Sequence, residues 1–206
     1  MGKRACVIIQ GISKVKKYMR TDSEVIKDFY KFYDKKIYID TESVLDRGLF
    51  SKIFDKLDFV PYFMNKKKRR AVCRLVNEEI TRLKLDGYSV DIVGHSLGAV
   101  IAMQCGRLIS PLAINRMILL QSPMHHSVYG GWIRKQIRKF SAGIEVGYVI
   151  STYNREDKWV ANKIIKGFRN FIKSLDAKYS KFTQLTAGKG HDWDKALEEL
   201  IVKGIV

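Results

Sequence analysis

The sequence has no uninterrupted apolar run approaching the length needed to cross a bilayer. It also lacks an internal repeat, a Gly/Ser-rich linker and any low-complexity tract. The 206 residues are therefore expected to form one domain, 1–206, large enough to bury a sizeable core. Cysteine is scarce. Cys6, Cys73 and Cys105 are odd in number, lack paired spacing and sit in apolar or helical contexts, which argues for reduced, buried thiols. No Cys/His cluster has zinc-site spacing, and the adjacent His125 and His126 have no further ligands beside them, so no metal is assigned and no cofactor is expected. Acidic residues are in deficit: Lys+Arg 38 against Asp+Glu 21 leaves a net charge of +17. Such a surplus suits contact with an anionic partner, and equally a merely solvated surface. The opening "MGKRACVIIQGISK" carries basic residues and one short apolar run that ends at Gln10-Gly11 without a small-residue cleavage site. It reads as a buried strand and not as a signal peptide, from which a cytoplasmic location, with membrane-peripheral association as a variant, is expected.

What is present alternates strand and helix. "ACVIIQ" (5–10), "KIYID" (36–40), "YSVDIV" (88–93), "RMILLQ" (116–121), "VGYVISTY" (146–153) and "KFTQLTA" (181–187) are short apolar runs of strand character. Between them lie helical patterns at 23–35, 66–85, 97–109, about 158–175 and 193–203. In 66–85 the stripe is Val72, Leu75, Val76, Ile80 and Leu83, closed near Asp86-Gly87. Regular β-α alternation with apolar strands implies an α/β fold, a mostly parallel sheet of about six strands with helices on both faces.

One junction carries chemistry. At "SVDIVGHSLGAVIAMQCG" (89–106) a strand becomes a helix through Gly94-His95-Ser96-Leu97-Gly98. The bare G-x-S-x-G pattern is weak, but its place at a strand-to-helix turn is not. Gly94 and Gly98 remove the side chains that so tight a turn would crowd together. Ser96 would then be held in a strained conformation, its Oγ above the strand ends and close to free N–H groups at a helix start.

A serine hydroxyl needs a base. Of the four histidines, His95 sits in the turn with its side chain directed away, and His125 and His126 follow the next strand. His191, after the last strand in "LTAGKGHDWDKAL", is best placed at the C-terminal edge of the sheet, though a surface or capping role fits it too. The base needs an orienting carboxylate, and "NREDKWV" after strand 146–153 offers Asp157, with Glu156 as the alternative. The chain order is then Ser96, Asp157, His191, each just past a strand. The Leu97 N–H and the Ile12 N–H, in the loop after the first strand, are the expected oxyanion donors.

These residues resemble the small end of the α/β-hydrolase superfamily, where minimal lipases and cutinase-like esterases lie. Gly-His-Ser-Leu-Gly is similar to the elbow of many lipases, and the resemblance covers essentially the whole chain. It makes the strand ending at Gln10-Gly11 the family's third, followed by five more in order. It implies Ser96 as nucleophile, Asp157 as acid, His191 as base, and Ile12 and Leu97 as oxyanion donors. Gln10-Gly11 stands where the family often has His-Gly. The implied activity is a serine hydrolase cleaving a carboxylic ester, of a small molecule or a lipid, through an acyl-enzyme. The alternative is a non-catalytic protein of the same fold that binds a membrane surface or nucleic acid through its positive charge.

Two further segments bear on partners. "GGWIRKQIRKF" (130–140) sets Trp132, Ile133, Ile137 and Phe140 on one helical face, with basic residues elsewhere. Within 124–145 it could form a lid or cap that touches anionic lipid, or an ordinary helix docked on the sheet. "MNKKKRR" (64–70) places five consecutive basic residues at a helix start, against the helix dipole. Lipid ranks ahead of nucleic acid as the partner, because no recognised nucleic-acid motif is present.

Overall fold

The computed structural model describes residues 2–10, 23–39, 41, 66–106, 114–122, 146–153, 182–190 and 192–206. All six expected strands form: β1 (Arg4–Ile9), β2 (Lys35–Ile39), β3 (Ser89–His95), β4 (Ile114–Leu120), β5 (Val146–Tyr153) and β6 (Phe182–Thr186). They make one six-stranded sheet in the order β2-β1-β3-β4-β5-β6. Every neighbouring pair is parallel. The helices are α1 (Glu24–Lys31), α2 (Lys66–Leu85), α3 (Leu97–Gly106) and α4 (Trp193–Val202). The expected helix at 158–175 lies outside the described residues, as does the end of the one expected to reach 109.

A parallel sheet covered on both faces needs strands apolar on both sides, and Ala5 to Ile9 of β1 are all buried. Alternate residues divide between two cores. Val7, Ile9, Ile92, Met117 and Leu119 face Val72, Val76, Ile80 and Leu83 of α2 together with Val100 and Met103 of α3. Cys6, Ile8, Val93, Ile118, Leu120 and Ile150 face Ile26 and Phe29 of α1 and Ala196, Leu197 and Leu200 of α4. Each fully buried Ile or Leu contributes about 1.5–3 kcal/mol. Of the helical stripe read in 66–85, four residues are fully buried in the first core, and Leu75 packs partly buried against it.

Two boundaries shift for visible reasons. β3 runs on to His95 because Gly94 and His95 still pair with Leu119 and Leu120 of β4. The helix expected over 23–35 stops at Lys31. Beyond it Tyr33 turns inward, and its hydroxyl donates to Asp91 Oδ2 at 2.6 Å. At the N-terminal end, the Ser23 Oγ accepts the Ile26 N–H of α1 and donates to Glu198 of α4 at 3.1 Å, joining two helices distant in sequence.

Asp91 is 1% exposed and organises the N-terminal end of the sheet. Besides Tyr33 it accepts from Arg116 Nε at 3.0 Å, Asn115 Nδ2 at 2.9 Å and Arg4 at 3.2 Å. Burial, then the neighbouring Cys6 and Asp91, push the Tyr33 phenol well above its usual range, so it remains a donor. The three cysteines are buried and form no disulfide, and burial likewise raises the Cys6 and Cys105 thiols, which leaves them unreactive. Among the described residues no helix is long and apolar enough to cross a membrane. Removing Asp91 would leave Arg4 and Arg116 beside a void. Asp91→Ala is expected to cost about 3–5 kcal/mol in urea unfolding, with an unchanged denaturant slope.

Candidate active site

The strand order reverses between β1 and β3, the second and third strands of the sheet. From β1 the chain moves outward to β2, then returns to place β3 on the other side of β1. Such a switch point leaves a crevice beyond the C-terminal ends of the two flanking strands, where open α/β sheets bind ligands. Ser96 stands there, half-buried, between the end of β3 and the start of α3.

Its backbone is in the left-handed region, with φ of 53°. For a serine this costs on the order of 1–3 kcal/mol, and it persists only where the surroundings enforce it. The enforcing contacts are specific. The Ser96 N–H donates to the Leu120 carbonyl at 2.9 Å, and the Ser96 carbonyl accepts the Ala99 N–H at 3.1 Å as α3 begins. A Cβ on Gly94 would lie 2.8 Å from the Ala99 Cα and from the Gly98 carbonyl oxygen. A Cβ on Gly98 would fall 2.0 Å from the Ile9 carbonyl oxygen and 2.8 Å from that of Gln10. The first glycine serves the turn itself. The second lets the end of β1 cross the head of α3.

Leu97 opens α3, so its N–H is one of the four that a helix start leaves without an intrahelical acceptor. His95, 8% exposed, lines a cavity on the α1/α4 flank. Ile12, Asp157, Glu156 and His191 lie outside the described residues, and so do Trp132, Ile133, Ile137 and Phe140 of the expected lid. What the structure does describe is the roots of those loops: Gln10 before Ile12, Tyr153 before Asp157, and Gly190 and Asp192 on either side of His191. All belong to the C-terminal edge of the sheet, as Ser96 does.

A residue not singled out from the sequence ties these roots together. Gln121, just past β4, is fully buried with φ of 48°. Its N–H donates to Thr152 Oγ1 of β5 at 3.1 Å, and its Nε2 donates to the Ala187 carbonyl after β6 at 2.9 Å. The following Ser122 N–H reaches the Thr152 carbonyl at 3.4 Å. Gly188, at φ of 79°, packs so closely that a Cβ would sit 3.0 Å from Gln121 Nε2 and from Ala196. Its N–H donates to Glu199 Oε2 of α4 at 2.7 Å. The segment leading to His191 is thus held from below by Gln121 and from the side by Glu199. The sequence signal was slight: a polar residue closing an otherwise apolar strand, "RMILLQ".

Among the described residues no three His, Cys, Asp or Glu side chains converge as a metal site would require.

No protein-family model matches the sequence, and no curated protein matches it either. Solved structures do. Carboxyl esterase 2 from the mycorrhizal fungus Tuber melanosporum superposes with a TM-score of 0.59 at 9% identity, over 99% of this chain and 77% of its own. The N-formylmaleamic acid deformylase of Pseudomonas putida superposes at 0.53 with 15% identity, over 99% and 92%. An alpha/beta hydrolase enzyme from a lagoon-sediment metagenome superposes at 0.50 with 12% identity, over 98% and 87%. The chain has the α/β-hydrolase fold. One of these neighbours is a carboxyl esterase and another a deformylase, and the fold by itself selects neither activity.

The clamp around Gly188 has a pH signature. Hydrogen bonds from Lys203 and from the Gly188 N–H hold the Glu199 carboxyl below its ordinary value of 4.5. A carboxyl lowered in the folded state stabilises it fully above 4.5, and this stabilisation is lost as pH falls through the lower folded value. Glu199→Gln is expected to remove that part of the acid dependence of Tm. Gln121→Ala, which strips the Ala187 carbonyl of its donor, is expected to lower stability by about 2 kcal/mol at every pH.

Proposed function

We propose that the protein is a serine hydrolase that cleaves a carboxylic ester through an acyl-enzyme, with Ser96 as nucleophile, His191 as base and Asp157 as the acid orienting it. The observation that carries this reading is the backbone of Ser96, held left-handed at the switch point and at the head of α3. A structural serine has no need of that conformation, whereas a nucleophile must stand clear of its strand and beside free N–H groups. The esterase among the structural neighbours is consistent with it.

In the reaction, His191 takes the Ser96 Oγ proton as Oγ attacks the ester carbonyl carbon. The Leu97 and Ile12 N–H groups hold the resulting oxyanion. The carbon–oxygen bond to the alcohol then breaks, and the alcohol leaves with the proton from His191. A water that gives its proton to His191 attacks the acyl-enzyme, Ser96 departs and recovers its proton, and the acid is released. Asp157 accepts the other imidazole N–H and stabilises the imidazolium. The small-molecule or lipid ester would enter over the strand ends, with segment 124–145 as a cap and the positive surface towards anionic lipid.

The test is hydrolysis of p-nitrophenyl butyrate by purified variants. Ser96→Ala and His191→Ala are each expected to lower kcat about a millionfold, to the level of a site retaining only oxyanion and binding contributions. Asp157→Asn should lose about ten thousandfold, with Glu156→Gln close to wild type. The reverse order for the last two would move the acid role to Glu156. Full activity in Ser96→Ala would remove the reading altogether.

A further inference from the structure

Between α1, the start of α4 and the sheet lies a cavity of about 330 Å³, large enough for a small ligand. Its floor is apolar, made by Ile8, Val93 and Leu120. Tyr38 and Trp193 add aromatic surface. Two of the lining residues, Gln10 and Tyr30, each carry a buried polar atom without a partner. Tyr30 is 9% exposed and Gln10 is 6% exposed, yet Tyr30 Oη and Gln10 Oε1 are buried with no hydrogen-bond partner. A buried polar atom left unpaired costs about 1–3 kcal/mol, and native structures carry few of them. Two in one cavity fit a site whose partner is a ligand.

The charge around it has one sign. Lys36, exposed on β2, and Lys27 on α1 both line the cavity. Lys27 also contacts the exposed Glu24 at 2.6 Å, whereas Lys36 makes no ion pair among the described residues. No Asp or Glu is among the described lining residues. Burial, with Cys6, Tyr38 and Tyr33 nearby, holds the Tyr30 phenol protonated and so able to donate.

We infer that this cavity is a binding site for a small amphiphilic anion, an apolar tail of a few carbons carrying a carboxylate or phosphate. The tail lies against Ile8, Val93 and Leu120. The anionic group accepts from Tyr30 Oη and faces Lys36 and Lys27, and the Gln10 amide meets the remaining polar edge of the ligand. Ser96 is not among the described lining residues, so the inference stands independently of the proposed hydrolysis.

Calorimetric titration of the full chain carrying Ser96→Ala, which prevents turnover, tests it with hexanoate, hexyl phosphate and the neutral hexanamide. Saturable one-site binding of at least one anion is expected, and the better of the two identifies the headgroup. Hexanamide should bind at least tenfold more weakly. Lys36→Gln and Tyr30→Phe should each weaken anion binding about tenfold. Tyr30→Phe should also leave Tm unchanged or raise it, because it removes an unpaired hydroxyl; a purely structural tyrosine would lower Tm. Gln10→Leu should behave likewise in Tm. Absence of saturable binding by either anion, equal binding of hexanamide, or Tyr30→Phe binding as wild type while losing stability would each overturn the inference.

Discussion

The crossing of two backbones is the constraint on which this molecule turns. The head of α3 passes the end of β1 so closely that a methyl group on Gly98 would fall 2.0 Å from the Ile9 carbonyl oxygen. No side chain larger than hydrogen fits there. The crossing sets Ser96 against the start of a helix, pins its left-handed backbone through the Leu120 carbonyl, and brings the end of β1 beside it. A serine in the same sequence context, without this approach, would relax to an ordinary turn.

The two ends of the sheet are stabilised by different means. At the N-terminal end, charge is buried and paired, with Asp91 receiving Arg4, Arg116, Asn115 and Tyr33. At the C-terminal end most ties are neutral, the Gln121 amide on Ala187, the Gln121 N–H on Thr152 and backbone bonds around Ser96, with the Glu199 carboxylate on the Gly188 N–H as a charged addition. Strong ionic ties at one edge let the other carry two strained residues, Ser96 and Gln121.

The architecture was legible because its signals are local. Apolar runs of strand length, a helical stripe from Val72 to Leu83 and the turn at Gly94–Gly98 each declare themselves within a few residues. The role of Gly98 was read only in part, since its tightest neighbour is Ile9, far away in sequence. Gln121 was missed for the same reason. Its partners Thr152 and Ala187 come from two later strands, and nothing around it distinguishes a clamp from a solvated strand end. The cavity under α1 and α4 arises where helices from opposite ends of the chain meet, joined by Ser23 and Glu198, and periodicity holds no record of that pairing.

The central claim is that this backbone crossing presents Ser96 as an activated nucleophile. Reaction of the folded protein with a fluorophosphonate, followed by mass mapping of the adduct, tests it most directly. The account predicts one adduct per chain, on Ser96, and its disappearance in His191→Ala while that variant remains folded. An adduct on another residue, or none on a protein with a cooperative unfolding transition, would contradict it.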